Sequence, residues 1–372
     1  MTRTAMPLVS LLCLALMPLF LTACPKTEVL SVGAVLPITG AASSIGVQQQ
    51  NGIGLAAQTF NGAKSLVAVN VWYRDSASDP AMGVSAFEDL VEDGVSACVS
   101  SLSGVSQACA PVAEKYEVPM LAVGASLPNL TDNRLWTFRN HPTSVDESEA
   151  MAGFLASSLM NLKSIAVFYL DDVFGRGARD AFRGAFETSG GEVVWEGLYS
   201  ERADYFSGLI SSATKAKPDG VYVTGYVEAT LKLIEQIRDA GMDQPLAANM
   251  AMATPHFIEQ AGTAYDGVFF TVTPFTFEKN TPGTAAFDFA ERYRATYNAE
   301  PDAYAAMAYD ALGMILDADS FFSVTRERVR DHLASLSTYD GVLGSLSMNA
   351  DHSVGIVLNI AQFVEGELEF IE

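Results

Sequence analysis

The chain has 372 residues and a formal net charge of −22 at pH 7, because 44 Asp and Glu outnumber 22 Lys and Arg. So acidic a surface argues against nucleic acid and anionic lipid headgroups as partners, since both are polyanions. The length exceeds the usual size of one hydrophobic core and predicts two lobes.

The N-terminus has the features of a lipoprotein signal peptide. Arg3 supplies a positive charge, and the apolar run from Met6 to Leu21 is shorter than the roughly 20 residues of a membrane-spanning helix. The run ends in Leu21-Thr22-Ala23-Cys24, which resembles the bacterial lipobox. We therefore predict a signal peptide over residues 1–23, a lipid on Cys24, a lipid-anchored linker over residues 24–28, and a location in the periplasm or cell envelope.

From Val29 to Val272, apolar runs typical of buried strands alternate with segments of helical periodicity. Asp79-Pro80 is a typical helix start, and Gly94 is a typical helix end. Because such strands alternate with helices, the sequence predicts an α/β fold whose parallel sheets are covered on both faces. The predicted strands are Val29–Leu36, Leu66–Tyr73, Val95–Ser100, Met120–Val123, Ser164–Leu170, Val193–Leu198, Gly220–Thr224, Leu246–Ala248 and Val268–Val272.

The alternation is interrupted twice. Pro142 breaks the pattern near Arg139–Ser144, and Thr273-Pro274 begins a stretch in which helices dominate to about Leu336, before the tail from Gly341 returns to strands. The late helices need a sheet to cover, so we expect the chain to cross between the lobes more than once. The alternative is a single sheet of nine or more strands. We predict that lobe one comprises residues 29–141 and 274–349, and lobe two residues 142–273 and 350–372.

No motif in the sequence supports catalysis or a metal site. The histidines lack the spacing of metal ligands, and neither a nucleophile elbow nor a phosphate loop is present. We therefore expect no enzymatic activity and no bound metal or cofactor. Each histidine is expected to be a surface or satisfied core residue. The four are His141, His256, His332 and His352.

Two cysteines, Cys98 and Cys109, remain once the predicted signal peptide and the lipidated Cys24 are set aside. Outside the cytoplasm a disulfide is chemically permitted. Their spacing matches no metal-binding motif, so the sequence leaves open either a disulfide or two buried thiols.

Two turns rich in small residues follow neighbouring predicted strands. The first contains Ser103 and Ser106 at the start of a helix, and the second contains Gly124 and Ser126. Helix-start amides and nearby hydroxyls suit an anion, and the carboxyl ends of parallel strands face one crevice. The alternative is that these serines only cap helices.

Five stretches of the chain, in this order, resemble the type I periplasmic binding proteins of the branched-chain amino acid (Leu/Ile/Val-binding) family. They are Gly33–Gly40, Arg74-Asp75 with Asp79-Pro80, Ser103–Ser126, Tyr169–Gly177 and Ala308–Ala311. The resemblance implies two Rossmann-like lobes with parallel sheets, joined by three hinge crossings. It also implies a small-molecule ligand in the interlobe cleft, and an ABC permease as the membrane partner. We expect a monomer.

The resemblance also assigns ligand contacts. Ser103 and Ser126 match the positions that hold a ligand carboxylate, with backbone groups near Gly124. Phe174 and Tyr226 match aromatic positions of the second lobe. For each aromatic, ordinary packing at the cleft edge is the alternative.

The sequence departs from the family's amino acid binders at the cation subsite. They place an acidic residue just after the strand that corresponds to Leu246–Ala248, whereas Pro245–Pro255 contains none. A buried ammonium without a carboxylate partner is strongly unfavourable. Asn249 offers a neutral acceptor, and Glu228 is a possible substitute or else a solvated helix-start residue. Ile45 also stands where an aromatic is frequent.

The sequence therefore predicts a lipid-anchored solute-binding protein of an ABC importer. Its expected ligand is an amino acid, or a small carboxylate or amide without an ammonium. The alternative is a ligand-sensing protein of the same fold that reports to a membrane receptor. A DNA-binding regulator of this fold would need a helix-turn-helix where the signal peptide lies.

Overall fold

The computed structural model describes residues 1–2, 28–63, 67–318 and 325–371. The predicted lipobox and Cys24 lie outside these ranges, so the predicted lipidation is not tested by the structure. Within the described ranges, no helix combines the length and the apolar composition needed to cross a membrane.

The first part of the chain alternates strands and helices as predicted. Asp79 caps the second helix, since its carboxylate accepts hydrogen bonds from the amides of Ala81 and Met82 at 2.8 and 2.9 Å. The elements are β1 Glu28–Leu36, α1 Ser43–Gly62, β2 Val67–Asp75, α2 Pro80–Glu92, β3 Ala97–Ser101, α3 Ser103–Tyr116, β4 Met120–Val123 and β5 Thr137–Arg139.

The middle part continues the same alternation after a break at Pro142. Thr143 and Asp146 form a capping box at the start of its first helix, which is a strong helix-start signal. The elements are α4 Ser144–Ala156, β6 Ser164–Leu170, α5 Val173–Thr188, β7 Glu192–Tyr199, α6 Ser207–Lys215, β8 Gly220–Thr224, α7 Glu228–Asp239, β9 Leu246–Ala248, α8 Pro255–Ala261 and β10 Phe269–Val272.

The last part is helical and then returns to strands, as the sequence predicts. Its elements are α9 Phe275–Glu278, α10 Ala285–Tyr297, α11 Ala303–Leu316, α12 Arg326–Ala334, β11 Tyr339–Gly341, β12 Gly344–Leu346, β13 Asn359–Val364 and β14 Glu367–Phe370. All nine predicted strands are present within two residues of their predicted bounds.

The strands form two large sheets, so the single-sheet alternative is wrong. The first sheet has the order β2-β1-β3-β4-β5, with every pair parallel. The second has the order β14-β13-β10-β9-β8-β6-β7. Its strands β7, β6, β8, β9 and β10 are parallel, whereas β13 and β14 pair antiparallel at one edge. We call the two sheets with their helices the first half and the second half.

The late helices cover the first sheet, as expected from the second break. One face of this sheet packs against α1, α10, α11 and α12, and the other face packs against α2 and α3. In α11, the buried carboxylate of Asp310 accepts hydrogen bonds from the amides of Val342 and Leu343 at 2.8 and 3.0 Å. Asp310 therefore joins α11 to the β11–β12 hairpin.

The chain passes between the two halves in three places. The first two passages lie after Arg139 and at Thr273-Pro274, near the predicted breaks. Before the third, the tail runs along β5, where the amide of Val354 donates to the carbonyl of Arg139 at 2.9 Å. Val354 also belongs to the core of the first half. We therefore propose that the third crossing spans residues 355–358, rather than beginning at the predicted residue 350.

Candidate functional site

A small cavity lies between the two halves, at the carboxyl ends of the strands. In open parallel sheets this edge is the usual place for a ligand. Both halves contribute residues, so the cavity changes if the halves move relative to each other. Its lining consists of Ile45, Leu102, Ser103, Gly124, Ser126, His141, Glu147, Phe174, Tyr226, Asn249, Ala251 and Tyr304.

The first half supplies a wall of small residues. Ser103 begins α3 directly after Leu102, whose φ of +66° is uncommon for a residue other than glycine. The amide of Ser126 donates to Oγ of Ser103 at 3.2 Å. Oγ of Ser126 is buried without a hydrogen-bond partner. The structure thus brings the two predicted serines together, with one hydroxyl left for a ligand.

Gly124 completes this wall and needs to be glycine. Its φ is +61°, and a Cβ there would lie 2.8 Å from Nε2 of Gln49. Gln49 is fully buried, and neither polar atom of its side chain has a partner. The wall therefore places a second unpaired polar side chain beside the cavity. Gln49 was not predicted as part of the site.

Ser106 does not line the cavity, so its predicted ligand contact finds no support in the geometry. It lies one helical turn beyond Ser103, and its Oγ is 2.9 Å from Oγ of Ser100. It is fully buried. The physical reason is the helical repeat, which turns the side chain towards the end of β3. This position fits the alternative in which a serine serves only local structure.

The second half supplies an aromatic wall. The rings of Phe174 and Tyr226 meet edge to face, with centroids 5.4 Å apart. The hydroxyl of Tyr226 donates to Oδ2 of Asp172 at 2.6 Å, and Oδ1 of Asp172 accepts from the amide of Gly175 at 2.6 Å. Both predicted aromatics therefore line the cavity, and Tyr226 is held in place by the cap of α5.

The two acceptors considered for the second half, Asn249 and Glu228, both have partners within the protein. Asn249 lines the cavity, but its Oδ1 already accepts from the amide of Gly225 at 3.0 Å. Its oxygen is therefore engaged in joining the loops after β8 and β9. Glu228 does not line the cavity. Its carboxylate lies 2.6 Å from Nε2 of the exposed His256, which fits the solvated alternative.

Glu147 is the main feature that the sequence did not predict. It lies in the first turn of α4, and only 4% of its surface is exposed. In the described part of the chain it forms no ion pair with Lys, Arg or His. Burial raises the pKa of Glu147 to about 8. A hydrogen bond from the amide of Met250 lowers this pKa, but by less than burial raises it.

His141 and Tyr304 were also missed. The two rings stack with centroids 5.8 Å apart. Nδ1 of His141 lies 2.7 Å from the carbonyl of Pro142, so Nδ1 carries the proton. Burial lowers the pKa of His141 to about 4, and its Nε2 has no partner. This neutral ring therefore offers an acceptor to the cavity.

A larger cavity adjoins this one and shares Tyr304. It lies beside α9 and includes Lys279, whose amine donates to the carbonyl of Pro301 at 3.1 Å. Asp302 also lines it and caps α11 by accepting from the amide of Ala305 at 2.9 Å. Lys279 and Asp302 are engaged in these contacts, and the predicted serines and aromatics line the smaller cavity instead. We therefore assign the site to the smaller cavity.

Cys98 and Cys109 are free thiols, and both are buried. Of the two alternatives that the sequence left open, the structure has the pair of buried thiols and no disulfide between them. Burial raises the pKa of Cys109 to about 12 and the pKa of Cys98 well above its ordinary value. Neither thiol is therefore a nucleophile at neutral pH.

Comparisons with known proteins agree with this architecture. The family model for periplasmic binding proteins matches residues 29–367. Leu/Ile/Val-binding protein homolog 3 of Brucella melitensis is 28% identical over 291 residues, which is 77% of each chain. A leucine-binding protein from Thermotoga maritima has a TM-score of 0.86 at 25% identity, over 92% of this chain and 98% of that chain.

A third similar protein was solved with a ligand. It is a solute-binding protein of an ABC transporter from R. palustris, in complex with benzoate. It has a TM-score of 0.84 at 19% identity, over 92% of this chain and 96% of that chain. At this level of identity the likeness concerns the fold.

The family match covers most of the chain, and the fold is similar to that of the leucine-binding protein. Membership implies a location outside the cytoplasm. The chain therefore belongs to the type I periplasmic binding proteins of the branched-chain amino acid family, whose members are solute-binding proteins and not enzymes.

Proposed function

We propose that this protein is the solute receptor of an ABC importer, and that it binds an amino acid or a similar small carboxylate or amide between its two halves. The observation that carries the proposal is the cavity itself. Ser103 and Ser126 meet on one side, and Phe174 and Tyr226 meet on the other. Hydroxyls and rings suit reversible binding of a small polar molecule.

The wall of small residues suits a carboxylate. It combines the start of α3, whose amides carry partial positive charge, with the unpartnered hydroxyl of Ser126. Helix starts of this kind bind anions without a charged side chain. The R. palustris protein, which has a similar fold, was solved in complex with benzoate, which is a carboxylate.

Hinge closure is the proposed mechanism of capture. Ligand contacts come from both halves, so only the closed form makes all of them. A ligand with such differential contacts shifts the population towards closure. Periplasmic binding proteins are an established example of this motion. The importer would then recognise the closed form.

The test is the double variant Ser103→Ala with Ser126→Ala. Thermal shift and calorimetry against amino acids, small carboxylates and amides identify ligands of the wild-type protein. The double variant should bind them more weakly by about 1–3 kcal/mol for each lost hydroxyl. Ser106→Ala is the matched control, because it removes a serine of the same helix that lies outside the cavity. Wild-type affinity in the double variant would overturn the assigned site.

We also propose that the mature protein is a monomer tethered to the membrane by a lipid on Cys24. The support is the sequence Leu21-Thr22-Ala23-Cys24 after an apolar run. Cys24→Ser should abolish labelling with a fatty acid analogue and release the protein into the soluble envelope fraction. Retention of the label in this variant would contradict the assignment.

A further inference from the structure

Glu147 is a buried carboxylate that faces the ligand cavity without a counter-charge. It enters the cavity from the second half, whereas the two serines enter from the first half. A buried carboxyl group of this kind is costly to ionise unless a cation or several donors compensate its charge. The amide of Met250 donates one hydrogen bond to this carboxyl group, which offsets only part of the cost of burying its charge.

The groups around Glu147 do not supply the missing charge. Asp146 precedes it on α4, and Tyr222 on β8 and Tyr304 on α11 lie close enough to be affected by its charge. His141, on the crossing segment, is neutral because burial lowers its pKa to about 4. The charge of Arg139 is felt at His141 but is not among the causes that shift the pKa of Glu147. The other neighbours are negative or neutral at pH 7, so none of these groups supplies the positive charge that would stabilise an ionised Glu147.

We propose that Glu147 receives the cationic group of the ligand. This inference rests on the proposed function, and it sharpens the ligand class to zwitterions of the α-amino acid type. The ligand carboxylate would lie at Ser103 and Ser126, and its ammonium at Glu147. The residue takes the place of the acid that is absent after β9. It comes from a different element, α4, rather than from the loop that contains Asn249.

His141 adds a second acceptor to this subsite. Its Nε2 lone pair is buried and unpaired. An ammonium has three donors, so one carboxylate and one imidazole nitrogen can accept two of them. The acceptors of the subsite therefore match a cation better than they match a second carboxylate, which an ionised Glu147 would repel.

Capture of a cation should also release a proton. Burial raises the pKa of Glu147 to about 8, so the carboxyl group is mostly protonated at pH 7 in the empty protein. A bound ammonium favours the ionised form and lowers this pKa. The proton then leaves to solvent. For the same reason, affinity for a zwitterion should increase as the pH rises from 6 to 8.

The experiment compares matched pairs of ligands that differ only in the amino group. The probes are L-leucine with 4-methylpentanoate, and L-phenylalanine with 3-phenylpropanoate, measured by calorimetry. Glu147→Gln should weaken binding of the amino acid by about 30-fold or more, and should change binding of the des-amino acid by less than about 3-fold. Glu149→Gln is the control, since Glu149 is an exposed acid on the same helix.

A second readout separates charge recognition from a structural role. Calorimetry in two buffers of different ionisation enthalpy should show proton release when the wild-type protein binds the amino acid at pH 7, and no release in Glu147→Gln. Equal losses for both members of a pair, or no proton release in the wild-type protein, would overturn the inference.

Failure of the inference can be distinguished from failure of the proposed function. If the wild-type protein binds the des-amino acids and rejects the amino acids, Glu147 is not a cation receptor, whereas the carboxylate site stands. If it binds neither member of either pair, and nothing in the wider screen of amino acids, carboxylates and amides, the proposed function fails together with the inference.

Discussion

The two halves shape the ligand cavity by different means. The first half uses the backbone, because Leu102 and Gly124 have positive φ angles and bring small residues to the cavity. The second half uses side chains, because the ring of Tyr226 is fixed by the carboxylate of Asp172. Substitutions that disturb this backbone of the first half should therefore act mainly through stability and shape, whereas loss of the charge of Glu147 in the second half should act mainly through affinity and ligand choice.

The largest effect on stability is expected at Asp310, whose side chain accepts hydrogen bonds from two buried backbone amides of the first half. Asp310→Ala leaves the amides of Val342 and Leu343 without their acceptor. We expect the free energy of unfolding to fall by about 3 kcal/mol. Urea denaturation measures this loss. Asp317→Ala, at the exposed end of the same helix, should change stability by less than about 0.5 kcal/mol.

Gly124→Ala should have the next largest effect. The new Cβ would lie 2.8 Å from Nε2 of Gln49, and the φ of +61° disfavours any side chain. We expect a loss of about 1–3 kcal/mol in unfolding free energy, together with weaker binding of every ligand whatever its charge. Gly153→Ala is the control, because nothing lies within 4 Å of its Cβ position in α4. It should stabilise the protein by about 0.5–1 kcal/mol. An equal response at both glycines would contradict the backbone argument.

The stability of the ligand-free protein should fall as the pH rises from about 6 to about 8. Burial raises the pKa of Asp310 to about 7 and that of Glu147 to about 8. A group whose folded-state pKa is raised stabilises the fold in its protonated form, and this contribution is lost as the pH passes through the folded pKa. Thermal unfolding at several pH values measures the trend. Glu147→Gln should make it shallower, and an unchanged slope would exclude Glu147 as a contributor.

The smallest effect on stability is expected when the hydroxyl of Tyr226 is removed from the aromatic wall. Tyr226→Phe keeps the ring against Phe174 and removes the hydrogen bond to Asp172. We expect a loss of about 1 kcal/mol in unfolding free energy and little change in affinity measured by calorimetry. A large loss of affinity would mean that this hydroxyl contacts the ligand directly.

The fold was predictable because buried parallel strands are continuous apolar runs bounded by turn residues. The first half of the site was predictable for a related reason. Ser103 and Ser126 follow such strands immediately, and the carboxyl ends of neighbouring strands meet at one edge. The sequence did not show which serines of α3 face the cavity. Ser106 lies one helical turn after Ser103, and its side chain points towards Ser100 instead.

The rest of the site depends on how helices of the two halves face each other. Glu147 lies in an acidic helix start beside Asp146, where a solvated side chain is the ordinary expectation. Its burial depends on residues distant in sequence that line the same cavity, such as Tyr304. One signal was present, because Glu147 lies four residues before the buried Met151 and so shares its helix face. Sequence spacing likewise could not decide whether Cys98 and Cys109 are bonded.

Arg139 determines where the molecule can bend. This buried arginine ends β5, and its guanidinium donates to the carbonyl of Leu127 and to the hydroxyl of Ser353 at 2.6 Å. The first crossing and the tail are therefore tied together on the first-half side. Asn140 is tied to the first half as well, since its amide donates to the carbonyl of Ala122 and its Nδ2 to the carbonyl of Met307, both at 2.9 Å. We therefore expect rotation to begin after Asn140 in the first crossing and after Val354 in the tail. The β13–β14 hairpin pairs with β10, so we expect it to move with the second half.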